Sequence, residues 1–385
     1  MDKVKELLKK NTMIIALIVV TIFFTITTNG TLLVPQNVTN LIAQNGYVVI
    51  LAVGMLICIL TGGNIDLSVG SIVCLVGSIA GTLIVNKHVN NWVAIIICLA
   101  VGILIGVIQG YWIAYLRIPA FIVTLAGMLL WRGVALIVLD GLTVSPFPDD
   151  YLNLFNSYVP DIFHGSINIL AIIVGIVVCI IYVLAQSIAR INRRKKGHQL
   201  NSVLSEVSQI VIICVVVMAL ALSLSNHKGI PMILVLLALI VFAYTYYTTK
   251  TVPGRYLYAM GGNEKAAKLS GINTNRVLFF AYVNMAFLSA VAALVCVARF
   301  NSAAPTAGVN YELDAIGACY IGGASAYGGI GSVPRVVIGA IFMGVLNNGM
   351  SIMGIDSNIQ KVVKGVVLLA AVTFDVLSKK RGKLA

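Results

Sequence analysis

"GGNIDLSVGS", Gly62 to Ser71, interrupts two long apolar runs, "GYVVILAVGMLICILT" (Gly46–Thr61) before it and "IVCLVGSIAGTLIV" (Ile72–Val85) after it. Each run approaches the ~20 residues that an α-helix needs to cross a ~30 Å hydrocarbon core. Gly62 and Gly63 can end a helix in a left-handed conformation at low cost. Asp66 is then placed to cap the next helix, its carboxylate accepting from the amides of Ser68 and Val69, at the positive end of that helix's dipole. One reading is a tight turn between two crossings. The other is a broken backbone in which Gly62, Gly63, Asn64, Asp66, Ser68 and Gly70 line a permeation path, because unwound backbone at membrane depth persists only inside protein or beside water. The two are compatible.

The rest of the chain extends this pattern. Of its 385 residues, 59% are hydrophobic and 10% charged, against about a quarter charged in a soluble domain. Apolar runs recur from end to end and predict an all-α, polytopic membrane protein with about twelve crossings between residues 13 and 378. The whole chain is expected to be one membrane domain, with no stretch long enough for a soluble enzyme. "NTMIIALIVVTIFF" (Asn11–Phe24) is too long for a signal-peptide core and is expected to stay as the first span. All seven cysteines fall within apolar runs without paired spacing, as small core residues do, so neither a metal site nor a disulfide framework is expected.

The net charge of +13 has an orienting distribution. The basic loop 188–206 with "RINRRKK" (Arg190–Lys196), the loop 250–276, Arg335 and the C-terminal "SKKRGK" (Ser378–Lys383) fall on the side of the lysine-rich N-terminus. Lys87, Lys228 and Arg299 fall on the other, but so do Asp140, Asp149, Asp150, Asp161, Glu312, Asp314 and Asp356, mostly in the outer loop 140–166. The positive-inside rule then puts both termini in the cytoplasm, and a nucleic-acid reading of the charge has little support.

A second glycine break, "IGGASAYGGIGS" (Ile321–Ser332), lies in the tenth crossing, 312–330. It reads as a re-entrant half-helix or as a full crossing with unwound backbone around Gly322, Gly323, Gly328 and Gly329. The full crossing is favoured, because re-entry would put the basic tail outside. Among polar residues within crossings, Arg132 costs about 2.5–3.5 kcal/mol unless paired or hydrated. Lys361 and Lys364 read as functional or as snorkelling. Gln109, Asn284, Asn347 and Asn348 read as interhelical glue, the more common fate, or as contacts to sugar hydroxyls. Trp92, Trp112 and Trp131 suit interfacial belts or lipid contacts.

Between the eighth and ninth crossings, "GGNEKAAKLSG" (Gly261–Gly271) specifies a short helix at both ends. Asn263 can cap it, Glu264 suits its positive end, and Gly271 can stop it. Two turns are marginal alone in water, below the ~12 residues of a self-sufficient helix. The segment is either a solvated connector or an element that docks on a partner. No glycine-rich loop followed by Lys-Ser/Thr is present, hence no phosphate cradle.

Five stretches in order resemble the permease subunits of bacterial ATP-binding-cassette sugar importers of the ribose and xylose type. They are "GGNIDLSVGS", "RIPAFIVTLAGMLLWRG" (Arg117–Gly133), "GRYLYAMGGNEKAAKLSGI" (Gly254–Ile272), "YELDAIGACYIGGASAYGGIGSV" (Tyr311–Val333) and "GVLNNGMSIMGIDSNIQKVVKGVVLLAAV" (Gly344–Val372). The glycine-rich segment looks nearest to the multiple-monosaccharide permeases and next to the xylose permeases, and residues 167–230 look like an insertion relative to ribose-type chains.

The resemblance implies a transporter subunit, not an enzyme. A cassette ATPase partner would bind and hydrolyse ATP, an extracytoplasmic binding protein would deliver the sugar, and a second copy of the chain would complete the path through the lipid of the cytoplasmic membrane. It makes Asn263, Glu264, Ala266, Ala267, Lys268 and Gly271 the ATPase-coupling helix, with Lys265 departing from the family's pattern. It adds Gln109, Gly322, Gly323, Gly328, Gly329 and Asn347 to the path, and sets Asp149, Asp150, Glu312 and Asp314 against the binding protein. The runner-up is an ion-coupled sugar transporter. It would need carboxylates at membrane depth, and Asp66, Glu312, Asp314 and Asp375 all lie near the ends of crossings.

Overall fold

The computed structural model describes residues 12–163, 165, 167–197 and 203–382. The N-terminal lysines, part of the 188–206 loop and the side chains of the C-terminal basic cluster lie outside what is described. The helices are α1 (Thr12–Thr27), α2 (Pro35–Leu60), α3 (Val69–Gly81, continued by a π turn Thr82–Asn86), α4 (Asn91–Ala114), α5 (Ala120–Leu139), α6 (Asp149–Asn156), α7 (Ile169–Lys195) and α8 (Val203–Ser225). They continue as α9 (Met232–Lys250), α10 (Val252–Gly262), α11 (Glu264–Leu269), α12 (Thr274–Phe300), α13 (Tyr311–Ile321), α14 (Val333–Ile352) and α15 (Ser357–Gly382). Among the described residues nine helices are long and apolar enough to cross a membrane: α2, α3 with its π turn, α4, α5, α7, α8, α9, α12 and α14. The chain is a polytopic all-α membrane protein. Helix α1 is apolar but shorter, α15 carries charges, and α13 has only 11 residues.

Two compact units form. The smaller, Leu33–Asn40 with Ser157–Met232, holds the α7–α8 hairpin. Gly175 faces Ala221 so closely that an added Cβ would lie 2.6 Å from the alanine methyl, Arg190 pairs with Glu206, and most other side chains face outward.

The larger unit, Met1–Leu32, Leu41–Asn156 and Ile233–Ala385, is built around α2. From Ile50 to Leu60 that helix is almost wholly buried. Small residues let helices approach as they do in lipid: Gly102 and Gly106 of α4 lie against Ala286 and Ala290 of α12. Helix α6 is held on α12 by Tyr151, whose hydroxyl donates to the Leu294 carbonyl at 2.9 Å. Burial pushes that phenol well above the ordinary tyrosine range, so it stays a donor.

Three unwound segments shape this unit. In the first, Gly62 (φ +131°) and Gly63 (φ +75°) end α2 as expected, and the chain turns back along it. The Asp66 amide meets Met55 Sδ at 3.5 Å, and the Ile65 carbonyl accepts from Tyr282 at 3.5 Å. Met55 lies five residues, or about 8 Å, up from Leu60, so α3 starts inside the protein. The second, 301–310, has no counterpart in the sequence reading. It begins beside Val144 and Phe147, which bond to Ala303 and Asn301, and dips inward until Gly308 meets Gly70. A Cβ on either glycine would lie 2.0–2.1 Å from the other's carbonyl oxygen. The guanidinium of Arg132 donates to the Pro305 and Ala307 carbonyls. That pairing offsets its burial.

The third, 322–332, follows α13, whose 11 residues extend about 16 Å, half of the core. Helix α14 returns beside it, with Gly339 against Ala318 and Gly322 against Val336. The stretch expected as the tenth crossing, 312–330, is thus an 11-residue helix with unwound chain on both sides, 301–310 before it and 322–332 after it. Met13 packs on Gly323, and the Asp375 carboxylate accepts from Ala326 N at 3.3 Å. The beginning of α1 and the last third of α15 thus share the face that holds the end of α2.

Candidate functional site

The first break contains a polar cluster. One oxygen of Asp66 accepts from the Ser68 amide at 2.8 Å and the Ser68 hydroxyl at 2.6 Å. The expected bond from Val69 is not made. Gln109 of α4 donates to Ser68 Oγ at 3.0 Å, and all three residues have zero exposure. Gly127 of α5 makes room for Gln109 and Trp131, since a Cβ there would lie 2.3 Å from the amide nitrogen and 3.2 Å from the indole nitrogen. Trp131 therefore turns its nitrogen inward, not to a lipid interface.

This placement changes the expected roles. A residue lining a path between two copies must reach the surface of one copy. Asp66, Ser68 and Gln109 do not in this conformation; they bolt the start of α3 to α4. Gly70, Gly322 and Gly328 are likewise buried, while Gly62 is exposed and Gly63, Asn64, Gly323, Gly329 and Asn347 are half-buried. Asn284 accepts from Tyr244 and Asn348 donates to Gln44, both as interhelical glue. Asn347 keeps a buried carbonyl oxygen without a hydrogen-bond partner among the described residues.

The outer acids divide. Asp149 and Asp150 open α6 and are exposed, as contacts to another protein require. Asp314 is not an outer contact: it is 1% exposed. Lys364 Nζ lies 2.9 Å from its Oδ1 and 3.3 Å from its Oδ2. Tyr47, stacked on Tyr311, donates to Oδ2 at 2.9 Å. The lysine thus points inward to α13 instead of snorkelling. Glu312, half-buried beside Gly70, is no loop residue either. Sequence reading missed both because they sit at the start of an apolar run whose preceding segment looked like a loop.

On the opposite face the glycine breaks converge. A Cβ on Gly63 would lie 2.0 Å from the Ala326 carbonyl oxygen, and one on Gly328 2.5 Å from Gly62 Cα. The breaks at 61–68 and 322–332 therefore seal each other. Gly261, at the end of α10, joins them.

Helix α11 follows with only Asn263 between. Asn263 caps it, its side chain accepting from the Ala266 amide at 3.0 Å. Gly271 (φ +84°) ends it, with the Ile272 amide reaching back to the Ala267 carbonyl at 3.1 Å, the geometry that glycine permits at a helix C-terminus. Glu264 bonds at 2.7 Å to Arg117, a residue at φ +57° that also holds Thr274 and Asn275. Ala267 is buried against its own chain. Outward face Ala266, Lys268 and Leu269, the last 90% exposed. Leu269 was not singled out in the sequence, because six residues are too few to display a face. Arg117→Gln should lower stability by no more than a half-exposed ion pair is worth, about 1 kcal/mol or less; a correspondingly small fall of the thermal midpoint by differential scanning fluorimetry in detergent checks this.

The chain matches the family described as branched-chain amino acid transport system / permease component over residues 37–372. It is 37% identical over 369 residues to the xylose transport system permease protein XylH of Haemophilus influenzae, with 96% of both chains covered. The XylH of Escherichia coli K12 is 38% identical, covering 96% of this chain and 92% of that one. The ribose import permease protein RbsC of the same strain is 34% identical, covering 96% and 94%. No solved structure matches.

Proposed function

Because the chain belongs to the branched-chain amino acid transport system / permease component family, we propose that it is the membrane subunit of an ATP-driven importer whose cargo is a monosaccharide of the xylose and ribose class. The observation that carries this is identity of 34–38% along almost the whole chain to permeases named for those sugars. The doubly capped α11, with Leu269 presented outward, supports a cassette ATPase as the source of energy. In this reading α10 and α11 face the cytoplasm, as do both termini. Asp149 and Asp150 face an extracytoplasmic binding protein that delivers the sugar. Two copies of the chain enclose the path, and Gly62, Asn64 and Asn347, which are not fully buried, are its wall. ATP is bound by the partner.

The family's description names amino acids, the relatives' names name sugars. ATPase stimulation in the reconstituted complex distinguishes them. The expected result is stimulation by a binding protein loaded with xylose or ribose, and none by one loaded with leucine. Stimulation by leucine alone would reverse the assignment.

A further inference from the structure

Three glycine-bearing segments distant in sequence touch backbone to backbone at one place. A Cβ on Gly261 would lie 1.9 Å from the Leu60 carbonyl oxygen and 2.4 Å from Gly329 N, and one on Gly329 would lie 2.8 Å from Gly262 N. The Gly329 amide donates to the Leu60 carbonyl at 3.1 Å. Tyr258, one turn before Gly261 on α10, donates to the Gly331 carbonyl at 3.1 Å. The loop 322–332 is therefore gripped by α10 and by the end of α2. It leads directly into α13 on one side and α14 on the other.

Contacts between side chains can absorb a displacement by changing rotamer, whereas backbones already in contact cannot. A shift of α11 passes through Asn263 to Gly261, and from there to Leu60 and Gly329 without any flexible side chain between. Leu60 is the last residue of α2 before the break that leads into α3, and Gly329 belongs to the loop that ends α13. These are the two broken helices whose starts meet at Gly70 and Gly308. We propose that this glycine junction is the transmission of the importer: Gly261, Gly329 and Tyr258 are positioning residues that convert movement of the ATPase-docking helix into movement of both broken helices. The proposal rests on the importer reading above, and coupling of this kind can be carried by packed, rigid elements whose equilibrium both sites bias.

The test compares Gly261→Ala with Gly262→Ala in proteoliposomes holding the ATPase and the loaded binding protein, with uptake and ATP hydrolysis measured in the same vesicles. An added Cβ at Gly262 meets nothing within 4 Å, so that variant controls for the methyl group. The expected result is that both variants bind the ATPase and hydrolyse ATP. Sugar moved per ATP should fall by about tenfold, a usual coupling magnitude, for Gly261→Ala only. Should Gly261→Ala not fold, Tyr258→Phe decides, with uptake per ATP expected to drop about threefold for one lost hydrogen bond. An unchanged ratio in whichever variant is measured overturns the junction. If instead the wild type moves sugar without ATP, the importer reading fails, a result distinct from failure of the junction.

Discussion

Lys364→Met should destabilise the protein by about 3–5 kcal/mol, the usual consequence of removing one partner of a buried ion pair. The reason is what remains. Asp314 is 1% exposed on a short helix inside the membrane unit. Without the ammonium 2.9 Å away, the Tyr47 hydroxyl is the one hydrogen-bond donor left to its carboxylate among the described residues. Adding Asp314→Asn in the same chain should return most of the loss, because a neutral amide needs no counter-charge. Thermal unfolding of the two single variants and the double variant in nanodiscs measures this cycle. Additive losses would mean that the two groups do not depend on one another.

Leu269→Asp should weaken association with the cassette ATPase on the order of 100-fold, since burying a leucine side chain contributes about 1.5–3 kcal/mol and a carboxylate in its place would be buried unpaired. The side chain is 90% exposed and makes no contribution to the fold of this chain, so the thermal midpoint of the isolated permease should not move. Co-purification of the tagged permease with the ATPase reads the first quantity and scanning fluorimetry the second. Full retention of the ATPase would assign Leu269 to the membrane surface instead.

The features legible in the sequence were those set locally. Apolar run length is sufficient for a crossing, which is why the run Gly46–Thr61 forms the inner part of α2, up to Leu60, and the run Ile72–Val85 lies in α3 and its π turn. Cap chemistry is sufficient for a two-turn helix, so Asn263 and Gly271 bound α11 as read. What escaped was non-local. Nothing near Gly261 says that it lies on Gly329, and nothing near Lys364 says that Asp314, 50 residues earlier, is its partner. The dip at 301–310 carried turn chemistry in Asn301, Pro305, Gly308 and Asn310, but those residues suit an outer loop equally well. Only packing against Gly70 and Arg132 draws them inward. The burial of Asp66, Ser68 and Gln109 escaped for the same reason, since a polar residue's partners decide whether it faces water, and Gln109 lies 41 residues from Ser68.

The central claim is that an attached ATPase, and not an ion gradient, drives sugar through this chain. Uptake of labelled xylose into proteoliposomes containing the permease, its ATPase and a loaded binding protein tests it directly, with ionophores present to collapse every gradient. The account predicts uptake that requires ATP inside the compartment facing α11 and is indifferent to ionophores. Uptake by the permease alone, without ATP and abolished by ionophores, would contradict it.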